Sequence, residues 1–124
     1  MFENATLSLV STVLDRLSQN HSLIASNMAN VNTQGYKAAQ IDFEAMLAPV
    51  SEVVNSENGD ATELTKALAR IDRQEIPVVE SETVGVLIDQ EMINLAENTL
   101  KYKALVSARS ELSSIKSIAI KGRS

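Results

Sequence analysis

With 124 residues, no cysteine and a formal net charge of −5, the chain has room for one small domain and none for a disulfide framework or thiol chemistry. Its hydrophobic content of 44% is carried by Leu, Ile, Val and Ala, with only 3% aromatic residues, which argues for helices over a sandwich or barrel. No apolar run approaches the roughly 20 residues of a membrane span. The start, "MFENATLSLVSTVLDRLSQ", has no basic leader and carries Glu3 and Asp15, so any export is expected to proceed without a cleaved signal peptide.

The first element is announced by a repeat. Leu7, Val10, Leu14, Leu17, His21, Ile24, Met28 and Val31 follow one another in alternating steps of three and four, with His21 the one strongly polar member. This heptad seam predicts a helix over residues 6–31, about 39 Å long and capped by Asn4 or Thr6. Between Thr6 and Tyr36 the only formal charges are Asp15 and Arg16. A helix with a solvated face normally carries Lys and Glu there, so this one is suited to being surrounded by protein.

The helix runs out in "SNMANVNTQGYK". Asn27 and Asn30 lie three apart and share a face outside the seam, where an amide meeting a neighbouring helix sets register and partner choice. Asn32 and Thr33 are expected to bond the backbone and stop the helix. Gly35 supplies the positive φ of a tight turn, Tyr36 places a ring and hydroxyl just beyond it, and Lys37 adds a cation.

The middle differs in kind. "APVSEVVNSENGDATE", with Pro49, Asn55, Asn58, Gly59 and Asp60, reads as a turn or mobile loop. "TELTKALARIDR" suits a short helix with Leu64, Leu68 and Ile71 on one face, and the β-branched, Pro-interrupted "EIPVVESETVGVLI" reads as extended, without enough to assign a sheet.

The last element is a second long helix, expected to be capped by Asp89 and ended by Gly122. Ile88, Met92, Leu95, Thr99 and Tyr102 form one seam and Leu105, Ala108, Leu112, Ile115 and Ala119 another, joined by two three-residue steps that resemble a stammer. The expected fold is mainly α. The two long helices pair as a coiled-coil hairpin around a mostly irregular acidic middle, with segments 1–47, 48–83 and 84–124 forming one domain.

Charge is unevenly spread. Residues 40–91 hold twelve acids against three bases, and residues 98–124 six bases (Lys101, Lys103, Arg109, Lys116, Lys121, Arg123) against Glu111. The basic tail lacks interleaved aromatics and any DNA-binding motif, so a solvated or partner-facing helix is expected rather than a nucleic-acid site. His21 has Ile24 and Ala25 at the spacings where a second metal ligand would sit, and it reads as a packed structural residue. The pairs Asp42/Glu44 and Asp89/Glu91 have no oxyanion donors near them. No enzyme activity, cofactor or small-molecule substrate is expected.

"ASNMANVNTQGYKAAQIDFEAML" resembles the N-terminal signature of flagellar axial proteins, the rod and hook family, in which an Asn-rich helix end leads into a Thr-Pro-Gly-Tyr-like turn and a basic residue. "EMINLAENTLKYKALVSARSELSSIKSIAI" and the short length are most similar to rod members of that family; hook subunits carry large inserted domains. The likeness covers residues 7–47 and 84–120. Gln34 departs from the family's usual Pro, which loosens the turn, and Leu87 stands where a polar residue is common, implying a more buried start to the second helix.

The resemblance implies paired terminal helices that assemble helically into a hollow rod, a structural role in the proximal rod of the flagellar basal body. It implies a periplasmic location reached through type III export, without membrane insertion. The implied partners are copies of the chain, other rod proteins, the adaptor at the export gate and the export apparatus itself. A self-contained helical hairpin that dimerises into a four-helix bundle, or another rod subunit, are the alternative readings.

Overall fold

The computed structural model describes residues 2–122, with side chains from Asn4 onward; Arg123 of the basic tail lies outside the described residues. Its elements are α1 (Phe2–Ala29), β1 (Ala39–Ile41), α2 (Phe43–Val54), α3 (Ala61–Arg73), β2 (Val78–Glu80) and α4 (Ile88–Lys121). The two terminal helices are about 42 and 51 Å long at 1.5 Å per residue.

α1 and α4 pack side by side and antiparallel. Asn4 meets Lys116 near one end, Asn20 and the Leu17 carbonyl meet Asn98 in the middle, and Asn27 meets Glu91 near the other. α1 is central, because its opposite flank packs on the remaining elements. Ala5, Leu9 and Leu23 join Ile41, Phe43, Met46, Leu47, Val50, Leu64, Ala67, Leu68 and Ile71 in the main core.

The paired terminal helices agree with the sequence reading, whereas the irregular middle is corrected. Residues 48–63, which read as a turn or loop, form the C-terminal half of α2 and the start of α3. Asp42 caps α2 by accepting from the Ala45 amide at 3.1 Å, and Asp60 caps α3 by accepting from the Glu63 amide at 2.9 Å. Pro49 misled because it sits inside α2, where it removes one helical hydrogen bond; its ring is buried beside α3. α3 buries the expected Leu64, Leu68 and Ile71 together with Ala61 and Ala67. Between the helices the chain turns so tightly that a Cβ on Gly59 would lie 2.3 Å from the Val53 carbonyl oxygen.

A small sheet was also missed. β1 and β2 pair antiparallel with Ala39 opposite Glu80, Gln40 opposite Val79 and Ile41 opposite Val78. Three-residue strands are too short for alternation to show in the sequence.

The helix limits differ in informative ways. α1 starts at Phe2, so Asn4 and Thr6 are helical rather than caps, and the Asn4 side-chain oxygen instead accepts from Lys116. α4 starts without a side-chain cap. Leu87 holds the capping position, and Asp89 lies in the first turn, where the helix dipole still favours its charge. Leu87 is 76% exposed, the opposite of the burial expected for it.

Candidate assembly interface

The seam residues of α1 divide. Val10, Leu14, Leu17 and Ile24 are buried and Leu7 and Met28 half-buried, while His21 and Val31 are exposed. His21 lies at the rim of the α1–α4 contact, in a shallow cleft with Ser18, Thr99 and Tyr102. Val31 falls beyond the end of the helix.

On α4, Leu95, Leu105 and Leu112 are half-buried against the rest of the protein, but Met92, Tyr102 and Ile115 are exposed. The inward stripe runs through Glu91, Asn98, Leu105 and Leu112, an unbroken seven-residue repeat whose first two members are polar. The apparent stammer came from counting only apolar residues.

Those polar members form a network that the sequence reading did not find. Asn27, fully buried, is saturated within its own chain. Its Nδ2 donates to the Ala39 carbonyl at 2.9 Å and to Glu91 Oε2 at 2.9 Å, and its Oδ1 accepts from the Ala39 amide at 3.0 Å and the Tyr36 hydroxyl at 3.0 Å. One helical heptad earlier, Asn20 Oδ1 accepts from the Ile41 amide at 2.8 Å and its Nδ2 donates to Asn98 Oδ1 at 3.0 Å. Asn98 in turn donates to the Leu17 carbonyl at 2.9 Å. Two amides of α1 thus bond alternate residues along the edge of β1 and tie that edge to α4.

The buried Glu91 carboxyl group is held where α4 begins, so the helix dipole helps to offset the cost of burying its charge.

The remaining motif residues build the exit from α1. Asn30 Nδ2 donates to the Ser26 carbonyl at 2.8 Å and its Oδ1 accepts from the Thr33 hydroxyl at 2.8 Å, so Asn30 and Thr33 end the helix. Asn32, assigned that task from the sequence, is exposed and its side chain makes no hydrogen bond among the described residues. Gly35 has φ +80, as the turn demands. The Gly85 amide then bonds the Tyr36 carbonyl at 2.8 Å, and Lys37 bridges to Gly85 with its side chain exposed. Asn27 and Asn30, expected to select neighbouring subunits, are therefore both engaged internally.

The surface available for contacts lies elsewhere. α1 exposes Ser8, Asp15, Ser18, Ser22, Ala25 and Ala29, a stripe of small side chains with one charge. α4 exposes Met92, Ile93, Leu100, Val106, Ile115, Ile118 and Ile120. The strand end adds Val78, Val79, Val84 and Leu87. A solvated helix shows mainly polar residues on its outer face; on α4 these large apolar residues are exposed among the polar ones. Asp42 caps α2, and of Asp89 and Glu91 the first is exposed and the second buried against Asn27. Among the described residues, no helix is long and apolar enough to cross a membrane.

No family model matches the chain. Curated relatives do. The flagellar basal body rod protein FlgB of Yersinia ruckeri is 30% identical over 115 residues, covering 81% of this chain and 82% of the relative. FlgB of Escherichia coli K12 is 27% identical over 121 residues, 86% of each chain. FlgB of Bacillus subtilis 168 is 25% identical over 127 aligned positions, 97% of each.

Proposed function

The chain belongs to the FlgB family of flagellar basal body rod proteins, and we propose that it is a structural subunit of the proximal rod, assembled through its terminal helices. The supporting observation is the outer face of α4, where Ile93, Leu100 and Ile118 are each more than half exposed. Apolar surface on this scale is costly in water and marks a contact with protein. The chain works as a building element rather than a catalyst. It reaches the periplasmic rod by type III export and meets copies of itself, other rod proteins and the adaptor at the export gate.

Purified basal bodies provide the test. A density map of the rod should accommodate α1 and α4 as an antiparallel pair close to the export gate. A rod complete without this chain, in cells that swim, overturns the reading. Sedimentation of the isolated protein as a discrete dimer with one sharp melt would favour the self-contained bundle instead.

A further inference from the structure

The two strands differ at their outer edges. The Asp42 amide donates to the Pro77 carbonyl at 2.9 Å and the Ser81 amide to the Ala38 carbonyl at 2.8 Å. Gln40 stands opposite Val79 between these bonds. The alternation of an antiparallel ladder therefore turns the N–H and C=O of Val79 toward β1, and those of Val78 and Glu80 away from it. On β1 the outward groups are those of Ala39 and Ile41, which Asn27 and Asn20 bond. β2 has no such cover. Among the described residues, the backbone groups of Val78 and Glu80 have no partner, and residues 78–80 are all exposed. The N–H that Pro77 lacks would face β1, so the outer edge loses no donor to it.

This edge is apolar at its centre and acidic at its flanks. Val78 is 49% and Val79 53% exposed. Glu75, Glu80 and Glu82 are exposed and belong to neither ion pair found among the described residues, Asp15–Arg16 and Glu63–Lys66. No base occurs between Gln74 and Leu100. Lys37 precedes β1, so its backbone lies on the side that this edge faces away from. The edge of a second copy would bring two acidic clusters together. The bases from Lys101 to Lys121 lie in α4, whose backbone is already bonded as a helix. We propose that the outer edge of β2 takes up an extended, basic segment of a different protein as a third strand. The segment's backbone pairs with Val78 and Glu80, a Lys or Arg stands opposite Glu80, and β-branched residues stand opposite Val78 and Val79. The contact is separate from the outer face of α4 and does not depend on the rod reading.

Amide hydrogen exchange of the full chain, resolved by residue with NMR, tests this directly, because the Val78 and Glu80 amides are open while that of Val79 faces β1. The probe is a short acetylated and amidated peptide in which lysines flank two valines. At saturation it should slow exchange at Val78 and Glu80 about tenfold and leave Val79 unchanged. No slowing, or equal slowing at all three, overturns the proposal. The same peptide N-methylated throughout has no N–H to pair and should protect neither amide; protection by it overturns strand addition. A version with glutamate in place of lysine should bind about tenfold more weakly, and equal binding overturns the basic partner. Glu80→Gln, at an exposed site, should weaken the lysine peptide several-fold with the Val79 amide still protected; unchanged binding overturns the pairing with Glu80. Protection of Val78 and Glu80 that grows with protein concentration, without peptide, makes a second copy the occupant and overturns the proposal.

Discussion

Replacing Asn27 by Leu strips partners from the Ala39 amide and carbonyl, the Tyr36 hydroxyl and Glu91 at once. Each orphaned polar group costs about 1–3 kcal/mol, so the variant should lose at least about 3 kcal/mol in a denaturant titration. A loss below about 1 kcal/mol would show the network to be peripheral. Gly35 tests the turn separately. A Cβ there meets nothing within 4 Å, so Gly35→Val carries the penalty of φ +80 alone, about 1–2 kcal/mol, and Gly35→Asn should cost less. Equal losses for the two would disprove that account. The sequence made Asn27 conspicuous but not its partners, because helical spacing identifies a face without saying what lies on it. Asn20 and Asn98 went unnoticed, and Glu91 was weighed only beside Asp89, although each pair, 20/27 and 91/98, is spaced by one heptad. That shared spacing was the available signal.

The long helices were legible as elements because their apolar repeats run for several turns. α2 was hidden by Pro49 and by the Asn-Gly punctuation that follows it; such residues mark turns on average, yet here Pro49 is absorbed into a buried contact. The strands were too short to show a period. The α2–α3 connection yields a sharp expectation at Gly59. Gly59→Ala drives a methyl group into the Val53 carbonyl, and the turn must open. The variant should melt lower than the parent while Glu57→Ala, at an exposed site in the same turn, stays within about 0.5 kcal/mol. Indistinguishable melting curves for all three would mean that the turn has slack. Within the adjoining core, Ile71→Ala should cost about 2–5 kcal/mol by thermal melting, and a loss under about 1 kcal/mol would remove the α2–α3 core as the main source of stability.

In the whole molecule, burial is graded along α4. Its first half holds Glu91 and Asn98 inside, whereas from Ser113 to Lys121 every residue but Lys116 is exposed. Hydrogen exchange in the dilute protein should therefore be slow near residue 98 and fast beyond residue 113. Uniform protection would contradict that gradient. The asparagine network also bears on when the fold can close. Asn20 and Asn27 lie early in the chain, yet their partners include Asn98 and Glu91, which are 78 and 64 residues further along. Until the last helix arrives, β1 can form its edge but Asn20 lacks one of its two bonds and Asn27 one of its four. The network is therefore the last part of the fold to close: its α4 contacts must bridge 64 and 78 residues of chain, a loop-closure cost met only when the far end docks.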